Sequence, residues 1–201
     1  MLKKTCSGIL AGLLISLGGT VFLSCQDKVV GSVGFTIGLL AVCFYGANLY
    51  TGRIGYLFDK HDKDGLTDLV FGLLGNLIGT VCCGLLLGPM KGEAARALCD
   101  AKLGQAPSET LLRAAFCGML VYIAVNLFRD KKTVLGIVIG IPVFILSGFE
   151  HSIADAFYFA AAGTFSGQAA LFILLVLLGN SIGALLFDRL LKGAGLKKQA
   201  S

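Results

Sequence analysis

Residues 147–155, with the sequence SGFEHSIAD, place two carboxyl groups and a histidine inside an otherwise apolar stretch. Residues 134–146 before it and residues 156–161 after it are apolar. A charged side chain at bilayer depth costs about 2.5–3.5 kcal/mol, so such residues usually face a pathway or a cavity. Glu150, His151 and Asp155 are therefore candidates for handling an anion or a proton within a membrane.

Ser147 and Glu150 have the Ser-x-x-Glu spacing of a capping box, in which each side chain satisfies a backbone N–H at a helix start. The spacing predicts two half-helices with a break between them and His151 just inside the second. The free N–H groups in the first turn of a half-helix favour negative charge. A histidine at this point indicates a path for an anion or a proton.

The composition excludes an ordinary soluble domain, because 56% of the 201 residues are hydrophobic and only 14% are charged. Apolar, charge-poor runs of about 18 residues or more indicate membrane spans. The sequence contains six, the first of them short: residues 9–24, 29–49, 66–90, 111–128, 133–161 with its break, and 169–187. The sequence predicts an all-α integral membrane protein that crosses the bilayer several times.

The distribution of positive charge predicts the orientation. An even number of spans places both termini on one side, together with the charged turn at residues 59–65. Of the 17 Lys and Arg residues, only Lys28, Lys91, Arg96, Lys102 and Arg113 fall on the other side. Cytoplasmic loops carry the excess of Lys and Arg, so both termini are predicted to lie in the cytoplasm, with the protein in the inner or plasma membrane.

The sequence contains an internal repeat. LLGNLIG at residues 73–79 recurs as LLGNSIG at residues 177–183, an offset of 104 that pairs span three with span six. Three spans plus three spans place the halves in opposite orientation. We predict one channel domain over residues 1–201, with repeats at about 5–90 and 108–190 and a disordered basic cytoplasmic tail at 191–201. Asn76 and Asn180 of the repeat are expected to tie helices together by hydrogen bonds.

If the repeat is real, span two should also break, and residues 46–53 (GANLYTGR) interrupt its apolar run. At the offset of 104, Ala47 corresponds to His151. Irregular backbone at membrane depth is tolerated where it is buried in protein or lines a cavity. Broken helices at corresponding places in inverted repeats mark binding sites near the bilayer midplane. The loop from Lys91 to Thr110 is expected to separate the two repeats.

Residues 148–154 (GFEHSIA) resemble the signature of the formate/nitrite transporter family, and residues 46–52 resemble that family's first break. Lys102, sixteen residues before Gly118, falls where the family has its vestibule lysine. The resemblance covers residues 2–192. It implies a homopentamer of aquaporin-like protomers, each with six helices, of which the second and fifth are broken. Such proteins pass small monovalent anions of weak acids, together with protons: formate, nitrite, hydrosulfide and, in some members, acetate or lactate.

The resemblance also implies roles for individual residues. His151 would be the central pore histidine, with Thr51 as its partner from the other break, and Lys102 would attract anions to the non-cytoplasmic entrance. Glu150, Asn48 and Asp155 would complete the substrate pathway, with Glu150 more a scaffold-bonding residue than a transporting one. Two apolar constrictions would be formed by Phe35, Leu39, Leu49, Phe144 and Val121.

Three positions depart from the family pattern, which usually has asparagine, glutamate and asparagine where Gly118, Asn48 and Asp155 stand. We expect the glycine to leave more room and one hydrogen-bond donor fewer. Asn48 and Asp155 suggest that a charge is exchanged between the two breaks. Because Asp155 follows His151 by four residues on one helical face, its carboxylate should favour the charged imidazolium.

Other functions fit the sequence less well. Seven cysteines show no metal-binding or redox spacing, and no cofactor motif is present, so neither a metal nor a cofactor is expected. A membrane-embedded enzyme would have only Glu150, His151 and Asp155 at depth. A purely structural membrane protein would not need two matched polar breaks, and nothing indicates nucleic-acid binding. Within transport, the alternative is a strictly proton-coupled symporter of a short-chain carboxylate such as acetate or lactate.

Overall fold

The computed structural model describes residues 1–59 and 65–197, and every regular element in these two ranges is a helix. The elements in chain order are α1 (Leu2–Ser24), α2 (Lys28–Tyr45), α3 (Tyr50–Arg53), a 3-10 turn (Ile54–Tyr56), α4 (Gly65–Leu103), α5 (Pro107–Lys131), α6 (Leu135–Leu146), α7 (Ser152–Ala162) and α8 (Gly167–Gly193).

Among the described residues, five helices are long and apolar enough to cross a membrane: α1, α2, α4, α5 and α8. The shorter apolar helices α6 and α7 follow one another and together cover the predicted fifth span. The all-α membrane fold predicted from the apolar segments is confirmed. Many large apolar side chains on the outer helix faces are exposed in the isolated protomer, as expected for surfaces that contact lipid or neighbouring subunits.

Helix α4 is much longer than predicted. The expected loop from Lys91 to Thr110 is wrong, because the helix continues past Pro89 as far as Leu103. Residues 93–98 (EAARAL) are mostly strong helix formers, and their charges had suggested a loop. At about 1.5 Å per residue, the 39 residues of α4 extend about 58 Å, beyond a hydrocarbon core of about 30 Å. This extension positions Lys102 on a rigid helix.

The two halves of the chain pack in corresponding ways. Helix α1 contacts α2 and α4, and α5 contacts α6 and α8 in the same manner. Glycines allow the close approach: a Cβ on Gly12 would lie 2.4 Å from the Asn76 carbonyl oxygen, and one on Gly118 would lie 2.0 Å from that of Asn180. Gly118 therefore packs against the α8 backbone. The expectation that it leaves extra room in a pore is wrong.

The end of the chain is ordered further than predicted. Helix α8 continues to Gly193, and Gly195, at φ 69°, turns the chain back. The Lys197 ammonium donates to the Tyr122 hydroxyl at 2.7 Å and to Asp188 Oδ1 at 2.9 Å. The predicted disordered tail is therefore wrong for residues 191–197. Residues 198–201 of that tail, and residues 60–64 of the charged turn, lie outside the described ranges.

Candidate functional site

Both predicted interruptions lie between helices of the structure. Helix α2 ends at Tyr45, the chain turns at Gly46 with φ 63°, and α3 begins at Tyr50. Helix α6 ends at Leu146, Gly148 has φ 68°, and α7 begins at Ser152. A positive φ of this size favours glycine, which has no Cβ to clash with the backbone. Residues 46–49 and 147–151 therefore expose backbone polar groups that need partners.

Asn180 on α8 supplies those partners at the second break. Its Nδ2 donates to the carbonyl oxygens of Glu150 and Ala114, both at 2.8 Å, and its Oδ1 accepts from the Ser152 N–H at 3.0 Å. The side chain is fully buried. One amide thus provides hydrogen-bond partners for the Glu150 carbonyl and for the N–H of Ser152, the first residue of α7. The same amide links this break to α5 through Ala114.

Asn76 on α4 does the same at the first break. Its Nδ2 donates to the carbonyl oxygens of Asn48 and Gly8, both at 2.9 Å, and its Oδ1 accepts from the Tyr50 N–H at 2.9 Å. The predicted helix-tying role of the two asparagines is confirmed.

These contacts also fix the correspondence between the breaks, because equivalent amides hold equivalent backbone groups. Asn48 corresponds to Glu150 and Leu49 to His151, an offset of 102 residues. The pairing of Ala47 with His151 is wrong by two residues, because the offset of 104 holds for α4 and α8 and shifts at the breaks.

The predicted capping box at the second break is wrong. His151 itself is the N-cap residue of α7, since its Nδ1 accepts a hydrogen bond from the Ala154 N–H at 3.1 Å. It therefore precedes the helix instead of lying inside it. Ser147 is the C-cap residue that follows α6, and the Glu150 carboxylate is directed away from the backbone, towards Lys102 and Gln105. The Asn180 amide, which local spacing did not indicate, replaces the reciprocal cap.

The His151 ring joins the two breaks. Its Nε2 lies 2.8 Å from Thr51 Oγ1, and both residues are buried. Because Nδ1 accepts from a backbone N–H, the ring fits the neutral tautomer that carries its proton on Nε2 and donates to Thr51. A second proton on the ring would break the N-cap hydrogen bond. The structure brings His151 and Thr51 together as the resemblance implied.

Asp155 does not hold His151 in its charged form, contrary to expectation. Its Oδ1 lies 2.9 Å from the Lys102 ammonium, which also contacts Glu150 Oε2. Gln105 donates to the other Glu150 oxygen at 2.7 Å. Lys102 is 8% exposed, Glu150 2% and Asp155 1%. Lys102 is thus a buried cation between two carboxylates, and its role in attracting anions to an entrance stays a prediction.

Asn48 does not take part in this cluster. Its Nδ2 donates to the Asp68 carbonyl oxygen at 2.8 Å, and its side chain packs closely against Gly72 of α4. The proposed exchange of charge between Asn48 and Asp155 is not supported by the structure, because each side chain bonds to its own surroundings in a different half. Asn48 packs at the first break, and its place in a substrate pathway stays a prediction.

Two cavities lie on opposite sides of the His151–Thr51 pair. The termini-side cavity, of about 560 Å³, is bordered by Arg53, Asp59 and Arg129, among others. It lies on the side of the termini because Lys192, near the end of α8, contacts Asp59. The Lys102 cavity, of about 190 Å³, is bordered by Lys102, His151 and Asp155, among others. Charged groups therefore border both cavities.

The predicted constriction residues lie between or beside the cavities. Phe35 and Phe144 border the Lys102 cavity, with ring centroids 6.1 Å apart in an edge-on arrangement. Leu39 and Leu49 border the termini-side cavity. All four side chains are buried. Val121 is buried on α5 and is not among the described residues that border either cavity.

Sequence reasoning missed two supporting residues. Gln105, in the short link after α4, holds Glu150, and Arg113 on α5 donates to the Gly148 carbonyl oxygen at 2.9 Å. Arg113 also pairs with Glu109 one turn earlier. The predicted loop from Lys91 to Thr110 hid Gln105, since a residue in an exposed loop is not expected to reach a buried carboxylate.

Comparison with known proteins decides the family. The description "Formate/nitrite transporter" belongs to a family model that matches residues 1–192. The chain belongs to this family. Members of the formate/nitrite transporter family are channels and transporters, and the interrupted helices around His151 lie within the matched range.

Curated relatives agree with this assignment. The chain is 28% identical to the "Uncharacterized transporter YrhG" of Bacillus subtilis (strain 168), over 90% of this chain and 80% of the relative. It is 26% identical to the "Formate channel FocB" of Escherichia coli (strain K12), over 73% of this chain and 62% of that protein. These formate/nitrite transporter relatives include named formate channels.

Solved structures share the fold. A "Pentameric formate channel with formate bound" superposes with a TM-score of 0.80 at 21% identity, covering 98% of each chain. An "FNT family ion channel" superposes with a TM-score of 0.79 at 25% identity, covering 96% of this chain and 88% of the other. The helix arrangement is thus that of formate/nitrite transporter channels.

Proposed function

We propose that this protein is a channel for small monovalent anions of weak acids, of the formate, nitrite or hydrosulfide class. The observation that carries the proposal is the hydrogen bond between His151 and Thr51, which joins two interrupted helices between two cavities. Membership of a family that contains formate channels supports the same substrate class. An apolar constriction with one polar contact, between cavities that are bordered by charged groups, suits a substrate that is charged outside the constriction and neutral within it.

The physical problem for such a substrate is dehydration. The free-energy cost of dehydrating a charged anion in a dry constriction is far higher than rapid permeation allows. A weak acid avoids this cost by accepting a proton, crossing as the neutral acid and releasing the proton on the other side. Phe35, Leu39, Leu49 and Phe144 would form the dry constriction. His151, with Thr51, would donate a proton or hydrogen-bond the passing substrate.

We further propose the arrangement of the protein in the cell. The excess of Lys and Arg on the side of the termini favours a cytoplasmic location for that side, and the Lys102 cavity would then open on the opposite side. The pentameric state of the structural relative and the exposed apolar faces of the protomer favour a homopentamer in the plasma membrane.

Uptake of labelled formate into proteoliposomes tests the proposal. We expect uptake that is faster than in protein-free liposomes and that saturates with formate. Nitrite, hydrosulfide, acetate and lactate in the same assay would define the substrate. Failure of all five anions to enter faster than in protein-free liposomes would overturn the proposed function.

A strictly proton-coupled symporter of a short-chain carboxylate is the second candidate. The observation that favours it is the buried Asp155 carboxylate next to Lys102, which gives the pathway a group able to take up a proton. Net charge moved per anion, measured under voltage clamp, separates the two mechanisms. Strict symport of one proton with one anion moves no net charge at any pH. A channel in which protonation is not obligatory also carries a current of unprotonated anions, which grows as the pH rises.

A further inference from the structure

The Lys102 cavity contains a cluster whose charges do not balance. We define the acid cluster as Lys102, Glu150 and Asp155, in which one ammonium contacts two carboxylates. If all three groups are ionised, the acid cluster carries one uncompensated negative charge in a buried place. Two carboxylates that share one site rarely both ionise. The acid cluster is therefore balanced when it holds one proton.

The hydrogen bonds indicate which carboxylate holds that proton. Both Glu150 oxygens are occupied, one by Lys102 and the other by the Gln105 amide. Asp155 uses only Oδ1, while its Oδ2 is buried without a hydrogen-bond partner. Buried polar atoms normally have partners, and a buried oxygen that accepts no hydrogen bond is poorly suited to carry negative charge, so Oδ2 is the place for the proton. Asp155 borders the Lys102 cavity, as His151 does.

The surroundings of Asp155 contain few competing charges. Among the described residues, the titratable groups that face it are Cys99 and Lys102 on α4, Cys117 on α5, Glu150 and His151 at the second break, and Tyr158 on α7. Of these, Lys102 is a cation and Glu150 is its other carboxylate partner. His151 already uses both ring nitrogens, for Thr51 and for the α7 N-cap.

We propose that Asp155 is the proton donor to the substrate anion in the Lys102 cavity, an inference that rests on the proposed function. The Oδ2–H bond of Asp155 breaks and a new O–H bond forms on the substrate, for example on a formate oxygen. The products are the neutral acid and the Asp155 carboxylate. Lys102 stabilises the negative charge of that carboxylate. Water on the Lys102 side returns the proton. His151 then hydrogen-bonds the neutral acid in the constriction.

This assignment predicts an order of events. An acid cluster without its proton is negative and repels an anion, whereas the protonated cluster is neutral and admits one. Proton loading therefore precedes anion entrance from the Lys102 side.

Asp155→Asn tests the proposal with an almost isosteric side chain that carries no proton to give. Asparagine is also the usual residue of the family at this position, so the variant asks whether this chain, unlike those members, depends on its own carboxyl group. In proteoliposomes with a pH gradient, we expect formate uptake at neutral pH to fall by about a hundredfold, the lower end of what a positioned acid contributes. Acid external pH should restore part of the rate, because more formate arrives already protonated. Asp100→Asn is the matched control, since Asp100 is an exposed carboxylate on α4, the helix that carries Lys102. Its uptake should equal that of the wild type.

Infrared difference spectroscopy gives a readout that does not depend on transport. At neutral pH, where exposed carboxyl groups are ionised, the wild-type protein should show the carbonyl stretch of a protonated carboxyl that is absent from Asp155→Asn and present in Asp100→Asn. If Asp155→Asn does not fold, the wild-type spectrum alone decides, because the absence of that band overturns the proposal.

The two hypotheses fail differently. Wild-type protein that carries none of the five anions overturns the proposed function, and with it the role of Asp155 as donor. Wild-type protein that carries formate, with unchanged rate and pH dependence in a folded Asp155→Asn, overturns the donor role alone.

Discussion

The first and second breaks share one backbone frame, namely a buried asparagine that holds two backbone groups of the break. They differ in the side chains that this frame positions. At each break a buried asparagine, Asn76 or Asn180, holds the carbonyl two residues before a half-helix and the first N–H of that half-helix. The residue between those two groups is Leu49 in the first half and His151 in the second. The backbone frame is therefore repeated, whereas the chemistry is confined to one copy.

The neighbouring positions differ in charge as well. Asn48 is neutral and bonds to the Asp68 carbonyl, whereas Glu150 at the equivalent place is ionisable and bonds to Lys102. The difference shows that the backbone frame does not depend on the charge at this position, since Asn76 and Asn180 contact only the backbone carbonyls of Asn48 and Glu150. The two ends of the pathway are accordingly free to differ in charge.

The largest effect is expected from removing the positive charge of Lys102, which contacts carboxylates only at and after the second break. Lys102→Met leaves two buried carboxylates without their cation and should lower the free energy of unfolding by about 3–5 kcal/mol. The loss should change little with salt, because buried charges are screened weakly. Denaturation in mixed detergent micelles measures it, with the exposed Lys28→Met as control. Stability equal to that of the control would show that Lys102 does not compensate the acid cluster.

A similar test compares the repeated frame itself. Asn180→Ala and Asn76→Ala each remove three hydrogen bonds to buried backbone groups, so each should cost about 3 kcal/mol or more in the same assay. Asn126→Ala, which loses one contact to Tyr56, is the matched control and should cost less. A large loss in only one of the two variants would contradict the equivalence of the breaks.

The chemistry confined to the second break is tested by His151→Asn. We expect inward flux of formate to fall by about a hundredfold, or to be replaced by a current of the charged anion, because the ring no longer handles a proton or a hydrogen bond in the constriction. Flux assays and voltage clamp together distinguish these outcomes. His61→Asn changes the other histidine of the sequence and serves as control. Unchanged flux and pH dependence would remove His151 from the mechanism.

The smallest effect is expected from removing the Thr51 hydroxyl, the contact through which the first half of the chain reaches His151. Thr51→Val removes the hydroxyl 2.8 Å from His151 Nε2, a loss of about 1 kcal/mol and a drop in flux of about fivefold. Thr51→Ser keeps the hydroxyl and should retain most of the flux. If Val and Ser behave alike, the hydroxyl is not what orients the ring.

Local patterns predicted what depends on neighbours in the chain. Hydropathy located the spans, and the polar segments at residues 46–53 and 147–155 marked the breaks. The repeat around Asn76 and Asn180 indicated that those amides tie helices together. The same patterns failed where a residue distant in the sequence provides the hydrogen bonds. The spacing of Ser147 and Glu150 matched a capping box, but Asn180 caps that backbone from another helix.

The sequence by itself determined the membrane class, the two polar interruptions and the residues available for chemistry, because apolar length and the cost of buried charge act locally. Only the tertiary structure decided which of those residues meet. Lys102 reaches Asp155 because α4 continues far beyond its apolar part, and Lys197 reaches Tyr122 because the chain turns back after α8. Such pairings depend on long-range packing, which brings together groups separated by up to 75 residues in these two cases and leaves no signature in local spacing.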